Sequence, residues 1–414
     1  MGRVPAPSLR ARADATGKPV VLLHIGEPKT GTTFLQDAMW ANRAALRAQG
    51  VTLPGLHAYD QYRASRDLRQ FRYDGTHPRG SWVGEWDILA EQARRCDGVA
   101  VISHEILMAA KPEQIARAVG SLEPAELHIA VTVRDLASLL PAAWQEAVKN
   151  GETGAWDDWV RDVIDRQSKR RSAQRRGFWR LHDTVPTLRK WAAHVPFDRM
   201  HVVTVPPSGS PRDLLWQRWA DLLGYDPTGT EVGGARENTS LGWPEAEFLR
   251  AVNTKLRGQV PHWMYETYIK PTFAESMLST RPRTSRPALS DEAATWVDGY
   301  TLRRGRSLRT LGVDLRGDLA DLERRPGNAG GTREIADREL VAVGVDAVAQ
   351  LLAERREHPI EKRAQPRPQA GWVDRAVDAA MPSNRLKKSL RELSVRYRWI
   401  GRLRVAVWRL SNRG

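Results

Sequence analysis

Lys29 stands in GEPKTGTTFLQ, residues 26 to 36, between two glycines and among hydroxyls. A cation with Thr30, Thr32 and Thr33 beside it suits an anion, held by charge and by amide and hydroxyl donors. Gly26 and Gly31 keep the spacing of the ATPase pattern GxxxxGK[ST], but Thr32 occupies the lysine position and the cation lies upstream at Lys29. Three other places carry residue types able to do chemistry. Ser103, His104 and Glu105 set an imidazole next to a carboxyl, either of which can take a proton from a hydroxyl near neutral pH. Arg134 offers a fixed guanidinium fork for a phosphate, with Ser138 four residues on. Trp179, His182 and Asp183, in GFWRLHDTVPTLRKWAAHV, bring an aromatic ring and polar groups together as a polar acceptor requires.

Such groups act together only if the elements around them converge. Val20 to Ile25 reads as a buried strand, and Thr32 or Thr33 opens a helix with Phe34, Leu35, Ala38 and Met39 at i, i+3, i+4 spacing. Further strand-like runs lie at Val99 to Ser103, His128 to Val133 and His201 to Val205, with Val51 to Leu53 as a short addition. Helical runs at 32–49, 82–95, 112–120, 135–149 and 178–193 alternate with them. That alternation predicts an α/β fold, a central mostly parallel sheet flanked by helices. Ligands in such sheets bind beyond the carboxyl ends of the strands, which gathers Lys29, Ser103 to Glu105, Arg134 and the Thr204 to Pro206 turn at one edge. From 211 onward the pattern is mostly helical, and the Gly- and Pro-rich 324–334 reads as a linker.

PKTGTT after a strand resembles the 5′-phosphosulfate loop of sulfotransferases that use PAPS, 3′-phosphoadenosine 5′-phosphosulfate. The resemblance covers residues 18 to 320 and is most specific at the first loop. It implies a P-loop-like three-layer fold and transfer of a sulfuryl group from PAPS to a hydroxyl or amine, releasing PAP. The donor would be held by Pro28, Lys29, Thr30, Gly31, Thr32, Thr33 and Phe34, with Lys29 catalytic and no metal involved. Arg134 would bind the 3′-phosphate. In the family a serine follows eight residues after that arginine; position 142 is alanine here, so either Ser138 substitutes or the hydroxyl is dispensed with. The family base after the second long strand is a histidine or a glutamate, and both His104 and Glu105 are candidates. Trp179, His182 and Asp183 would contact a small-molecule, glycan or glycolipid acceptor. Asn238 and Ser240 resemble a loop of bacterial relatives, but an N-cap cluster is the favoured reading.

Composition narrows the class. With 41% hydrophobic residues the chain of 414 residues can build a core, and it contains no apolar run of the roughly 18 residues that span a bilayer. The N-terminus lacks the apolar region of a signal peptide, and the single cysteine, Cys96, excludes an intramolecular disulfide, so a cytoplasmic protein is expected. Net charge is +15, of which residues 355 to 414 supply +11, from 16 Lys and Arg against 5 Asp and Glu. Within that tail, 385–410 interleaves apolar and basic residues, as a helix on an anionic membrane surface or on an anionic partner would. A nucleic-acid role is disfavoured because no binding motif accompanies the charge. The expected organisation is an N-terminal arm 1–17, a main domain 18–325, a linker and accessory helix 326–354 and the basic tail 355–414. The rival readings are a P-loop kinase and a non-catalytic relative that binds PAP or a membrane.

Overall fold

The computed structural model describes residues 6–70, 82–165, 172–232, 241–261, 264–281, 285–325, 331 and 334–357. Asn238, Ser240 and the basic tail from 358 lie outside the described residues. Among the described residues, six strands build one sheet: β1 Val20–His24, β2 Val51–Thr52, β3 Val99–Ser103, β4 Glu126–Val133, β5 Met200–Thr204 and β6 Asp314–Arg316. Their spatial order is β2-β3-β1-β4-β5-β6, with every neighbouring pair parallel. The expected α/β fold is therefore what the chain adopts. β6, three residues pairing beside β5, is an addition that its polar sequence Asp-Leu-Arg conceals.

In chain order the helices are α1 Leu9–Thr16, α2 Thr32–Ala41, α3 Arg43–Ala48, α4 Ala58–Leu68, α5 Glu85–Arg94, α6 Pro112–Leu122 and α7 Leu136–Lys149. They continue as α8 Trp156–Ile164, α9 Ala173–His182, α10 Thr184–Trp191, α11 Leu214–Leu223, α12 Trp243–Leu256, α13 Asp291–Leu311 and α14 Asp337–Glu357, with a π-helical run Tyr265–Met277 before α13. Two expected helices are each broken in two. Asn42 ends α2 by donating its side-chain amide to the Ala38 carbonyl, a local bond that competes with the helix ladder. At Asp183 (φ −104°, ψ 80°) the chain turns between α9 and α10.

Both sheet faces are covered, which is why the strands are apolar runs rather than alternating ones. Val20 and Leu22 of β1 enter a core with Leu35 and Met39 of α2 and Trp216 and Trp219 of α11. Val21 and Leu23 enter the opposite core, with Trp86 of α5, Ile115 of α6 and Trp191 of α10. A third core is wholly helical, where Trp144 of α7, Trp156 and Trp159 of α8 and Trp243 of α12 meet Val297 of α13. That third core sets α7, the helix following β4, firmly over the carboxyl edge of the sheet.

Candidate functional site

β1 ends level with Ser103, the last residue of β3, and with Ala130 inside β4, so the loop that leaves it runs past the end of β3 and along the last residues of β4. The Ile25 amide donates to the Ala130 carbonyl (2.9 Å) and the Glu27 amide to that of Thr132 (3.1 Å), pinning the loop to β4. Three residues then take left-handed backbone angles: Gly26 (φ 80°), Lys29 (φ 63°) and Gly31 (φ 80°). For a lysine this conformation is costly, the kind of strain that persists where a loop must aim its donors. A β-carbon on Gly26 would stand 2.6 Å from Cβ of Glu105, so the loop lies directly against the end of β3. Gly31 caps α2 without a side-chain bond, and Thr33 in its first turn is exposed. Helix amides and dipole there favour an anion.

Beneath the loop runs a buried polar chain that sequence reasoning did not find. Gln36 Nε2 lies 3.1 Å from Ser103 Oγ, Ser103 Oγ 2.8 Å from His24 Nδ1, and His24 Nε2 3.2 Å from Thr132 Oγ1. Thr132 Oγ1 lies 2.6 Å from Thr30 Oγ1, whose hydroxyl reaches the Glu27 carbonyl. Each hydroxyl has one proton, so one direction satisfies every member. The Gln36 amide donates to Ser103, Ser103 to His24 Nδ1, the His24 Nε2–H to Thr132, Thr132 to Thr30, and Thr30 to the carbonyl. This requires a neutral His24, and burial first, then the charge of His104, lowers its pKa to about 3. Thr30 thus spends its hydroxyl on the scaffold, leaving Thr33 as the exposed threonine of the loop.

Lys29 points across to α7. Its Nζ is 2.7 Å from Oε2 of Glu146, whose other oxygen accepts from Lys270 of the π-helical run at 2.9 Å. Burial pushes the Glu146 carboxyl up, but Lys29 and Lys270 outweigh it and hold the group well below the usual carboxylate range. Asn150 joins the cluster, its Oδ1 accepting from Lys270 at 2.8 Å. Asn150 also lines a cavity of about 510 Å³ with Thr153, Gln174, Asn253, Arg257 and Tyr265. Glu146 gives no sequence signal beyond its place on α7, four residues after the alanine at 142.

β3 stops at Ser103, and a short 3₁₀ turn, Glu105–Ala109, follows. The turn brings His104 Nδ1 within 3.7 Å of Glu105 Oε2, where strand alternation would have parted them. His104 Nδ1 accepts from the Ile106 amide at 3.3 Å. Burial chiefly, with Arg66 adding to it against the opposing pull of Glu105, lowers the His104 pKa. The neutral ring then carries its proton on Nε2 and presents a donor.

Arg134 follows β4 directly, with Nε 3.7 Å from Asp135 Oδ2. Asp135 caps α7 by accepting from the Ser138 amide at 2.7 Å, which places Ser138 in the first helical turn. The Arg134 carbonyl accepts from Arg304 Nη2 of α13 at 2.7 Å, and Arg304 Nη1 lies 3.9 Å from Glu27 Oε1. Thr184 donates to that same Glu27 oxygen. A fully buried Glu27 is pushed up to about 7 by burial, against the pull of Arg304 and Thr184. Glu27 and Arg304 were invisible to pattern reading, because a loop glutamate and one arginine among several on a helix carry no mark of burial.

The third predicted group is split. Trp179 packs on Tyr300 and Trp296 and donates Nε1 to the Val163 carbonyl at 2.8 Å, and Asp183 sits at the α9–α10 junction. His182 comes under the influence of Arg304 and Lys29, whose charges, after burial, lower its pKa to about 3, and the charge of Asp183 acts on Glu27. Thr204 at the end of β5 is committed to a network with Arg218 and Asp321.

Among solved structures the chain is similar to a sulfotransferase from Alicyclobacillus acidocaldarius, at 12% identity over 52% of this chain and 86% of that one, with a TM-score of 0.33. It is also similar to the sulfotransferase domain of the curacin biosynthetic pathway, at 12% identity over 54% of this chain and 77% of that one, with a TM-score of 0.27. No family model matches the chain, and no curated protein matches it. At this level of likeness the chemistry has to rest on the residues of this chain.

Proposed function

We propose that this chain is a sulfotransferase that moves a sulfuryl group from PAPS to a hydroxyl or amine of a small-molecule, glycan or glycolipid acceptor, releasing PAP. The observation that carries this reading is Lys29, a loop cation upstream of Gly31, whose Nζ already holds an oxyanion, Glu146 Oε2, at 2.7 Å. A kinase loop puts its lysine after the second glycine to reach the β- and γ-phosphates with magnesium; a lysine at position 29 serves a shorter anion at the loop mouth. Loop amides, the open α2 terminus and Thr33 would hold the 5′-phosphosulfate, and Arg134, one strand over, the 3′-phosphate.

In the reaction the acceptor oxygen or nitrogen forms a bond to sulfur while the bond from sulfur to the 5′-phosphate oxygen breaks. Lys29, leaving Glu146, meets the charge that gathers on the departing oxygen. The acceptor proton passes to Glu105, since His104 as placed presents an N–H and spends its lone pair on the Ile106 amide. The cavity beside Asn150 gives the acceptor an approach on the α7 side.

The reading is tested by thermal unfolding with PAP, with and without magnesium, and with MgATP. PAP should raise the midpoint by several degrees without magnesium, as specific ligands do well above Kd. Stabilisation by MgATP and none by PAP would return the chain to the kinases. Lys29→Ala should lose sulfuryl transfer from PAPS while leaving the unliganded midpoint within a few degrees; normal transfer by the variant would deny Lys29 its part.

A further inference from the structure

Helix α14 buries one face and leaves the other bare. Val343 and Ala347, 2% and 3% exposed, join the helical core, and Gly344 lies close to the ring of Phe248 on α12. Val341, Val345, Val348 and Leu352 are 62%, 61%, 55% and 63% exposed. Their spacing, 4-3-4, is that of a coiled-coil seam, and the exposed Ala342 and Ala349 beside it are small enough for a second helix to approach closely. Single exposed apolar side chains are ordinary, but a contiguous row marks a contact surface.

The chain beyond α14 repeats the pattern. Leu386, Leu390, Leu393, Tyr397 and Ile400 follow one another at 4-3-4-3. We infer that residues 386 to 400 dock as an amphipathic helix on the Val341–Leu352 face of α14 of the same molecule.

The connection reaches. Residues 358 to 385, 28 in number, span up to about 90 Å when extended, against a length of about 32 Å for the 21 residues of α14. The connector carries prolines at 359, 366, 368 and 382, residues unsuited to a helix interior. Charge favours the pairing. From 337 to 357 there are five Asp and Glu against three Arg, and from 385 to 410 nine Lys and Arg against one Glu. The acidic balance of α14 opposes an anionic lipid surface at the same place. The size of the seam argues against a second copy, because four side chains over about 16 Å fall far short of the roughly 1,200–2,000 Å² that stable partners bury. A tethered segment, at an effective concentration near millimolar, needs much less area.

The test uses the full chain with Cys96→Ser, so that one engineered thiol reacts. Val348→Cys carrying a benzophenone maleimide is irradiated, and the products are mapped by mass spectrometry. Cross-links from position 348 to peptides within 386–400, inside monomers, are expected; links that join two chains, or that miss 386–400, overturn the inference. The second arm compares sedimentation with phosphatidylcholine–phosphatidylserine vesicles for wild type and Val345→Lys with Val348→Lys. Because neither position belongs to the helical core, the variant should keep its fold. Released from α14, the basic segment should bind vesicles at least threefold more. Equal binding means the segment never sat on α14, and reduced binding means the valines themselves face lipid; either result refutes the docking.

Discussion

At the residue scale, the most consequential side chain is one that no motif contains. Glu146 engages Lys29 at 2.7 Å, and on the proposed function donor binding displaces this carboxylate from the lysine. Glu146→Gln removes that competition and should tighten PAPS roughly tenfold, about 1.4 kcal/mol, while PAP, lacking the sulfonate, changes less than twofold. Calorimetric titration of both ligands reads the ratio directly, and equal gains for the two would deny Glu146 this role. Glu27 makes a prediction in pH. Its carboxyl, ordinarily near 4.5, is raised by burial to about 7 in the folded chain. Below about 4.5 it is protonated folded or unfolded; between there and 7 only the folded chain keeps the proton. Its stabilisation is thus present at low pH and lost as pH rises through about 7. Wild type should lose a few degrees of unfolding midpoint between pH 5 and pH 8 relative to Glu27→Gln; parallel profiles would show that Glu27 does not titrate there.

At the element scale, the loop owes its shape to contacts with neighbouring strands as much as to its own sequence. Gly26 is required twice over, by its left-handed φ and by the backbone and Cβ of Glu105 pressed against it. Gly26→Ala should cost on the order of 1–3 kcal/mol from the strained conformation alone, and the loop must shift from β3, so PAP stabilisation should be lost as well. Chemical denaturation with and without PAP separates the two effects; an unchanged PAP shift would mean the loop tolerates displacement. The β1 loop, β3, β4 and α7 were legible because each joins an apolar run to a capping or glycine signal. The breaks at Asn42 and Asp183 were not, since helical periodicity continues through both and only local hydrogen bonding and packing interrupt it.

At the scale of the whole molecule, a parallel sheet with its switch point at β1 sets the ends of β1 and β3 beside β4. Everything proposed to hold the donor lies between residues 26 and 134, and the chain ending at Glu357 should therefore keep the full PAP-induced shift. Loss of that shift on truncation would give the tail a part in the donor site. Among the described residues no helix is long and apolar enough to cross a membrane. By itself the sequence determined the parallel α/β class, the glycine-bounded loop at Lys29 between strand and helix, and the strand-end positions of His104, Glu105 and Arg134, because hydrophobic period and glycine placement are local properties. Tertiary structure alone decided that Glu146 bridges Lys29 and Lys270, that Arg304 joins Glu27 to the Arg134 carbonyl, and that Thr30 turns inward while Trp179 packs away. Those outcomes depend on which helices the third core brings over the sheet edge, and on the cost of leaving a buried polar group unpaired, neither of which is written in the spacing of residues along the chain.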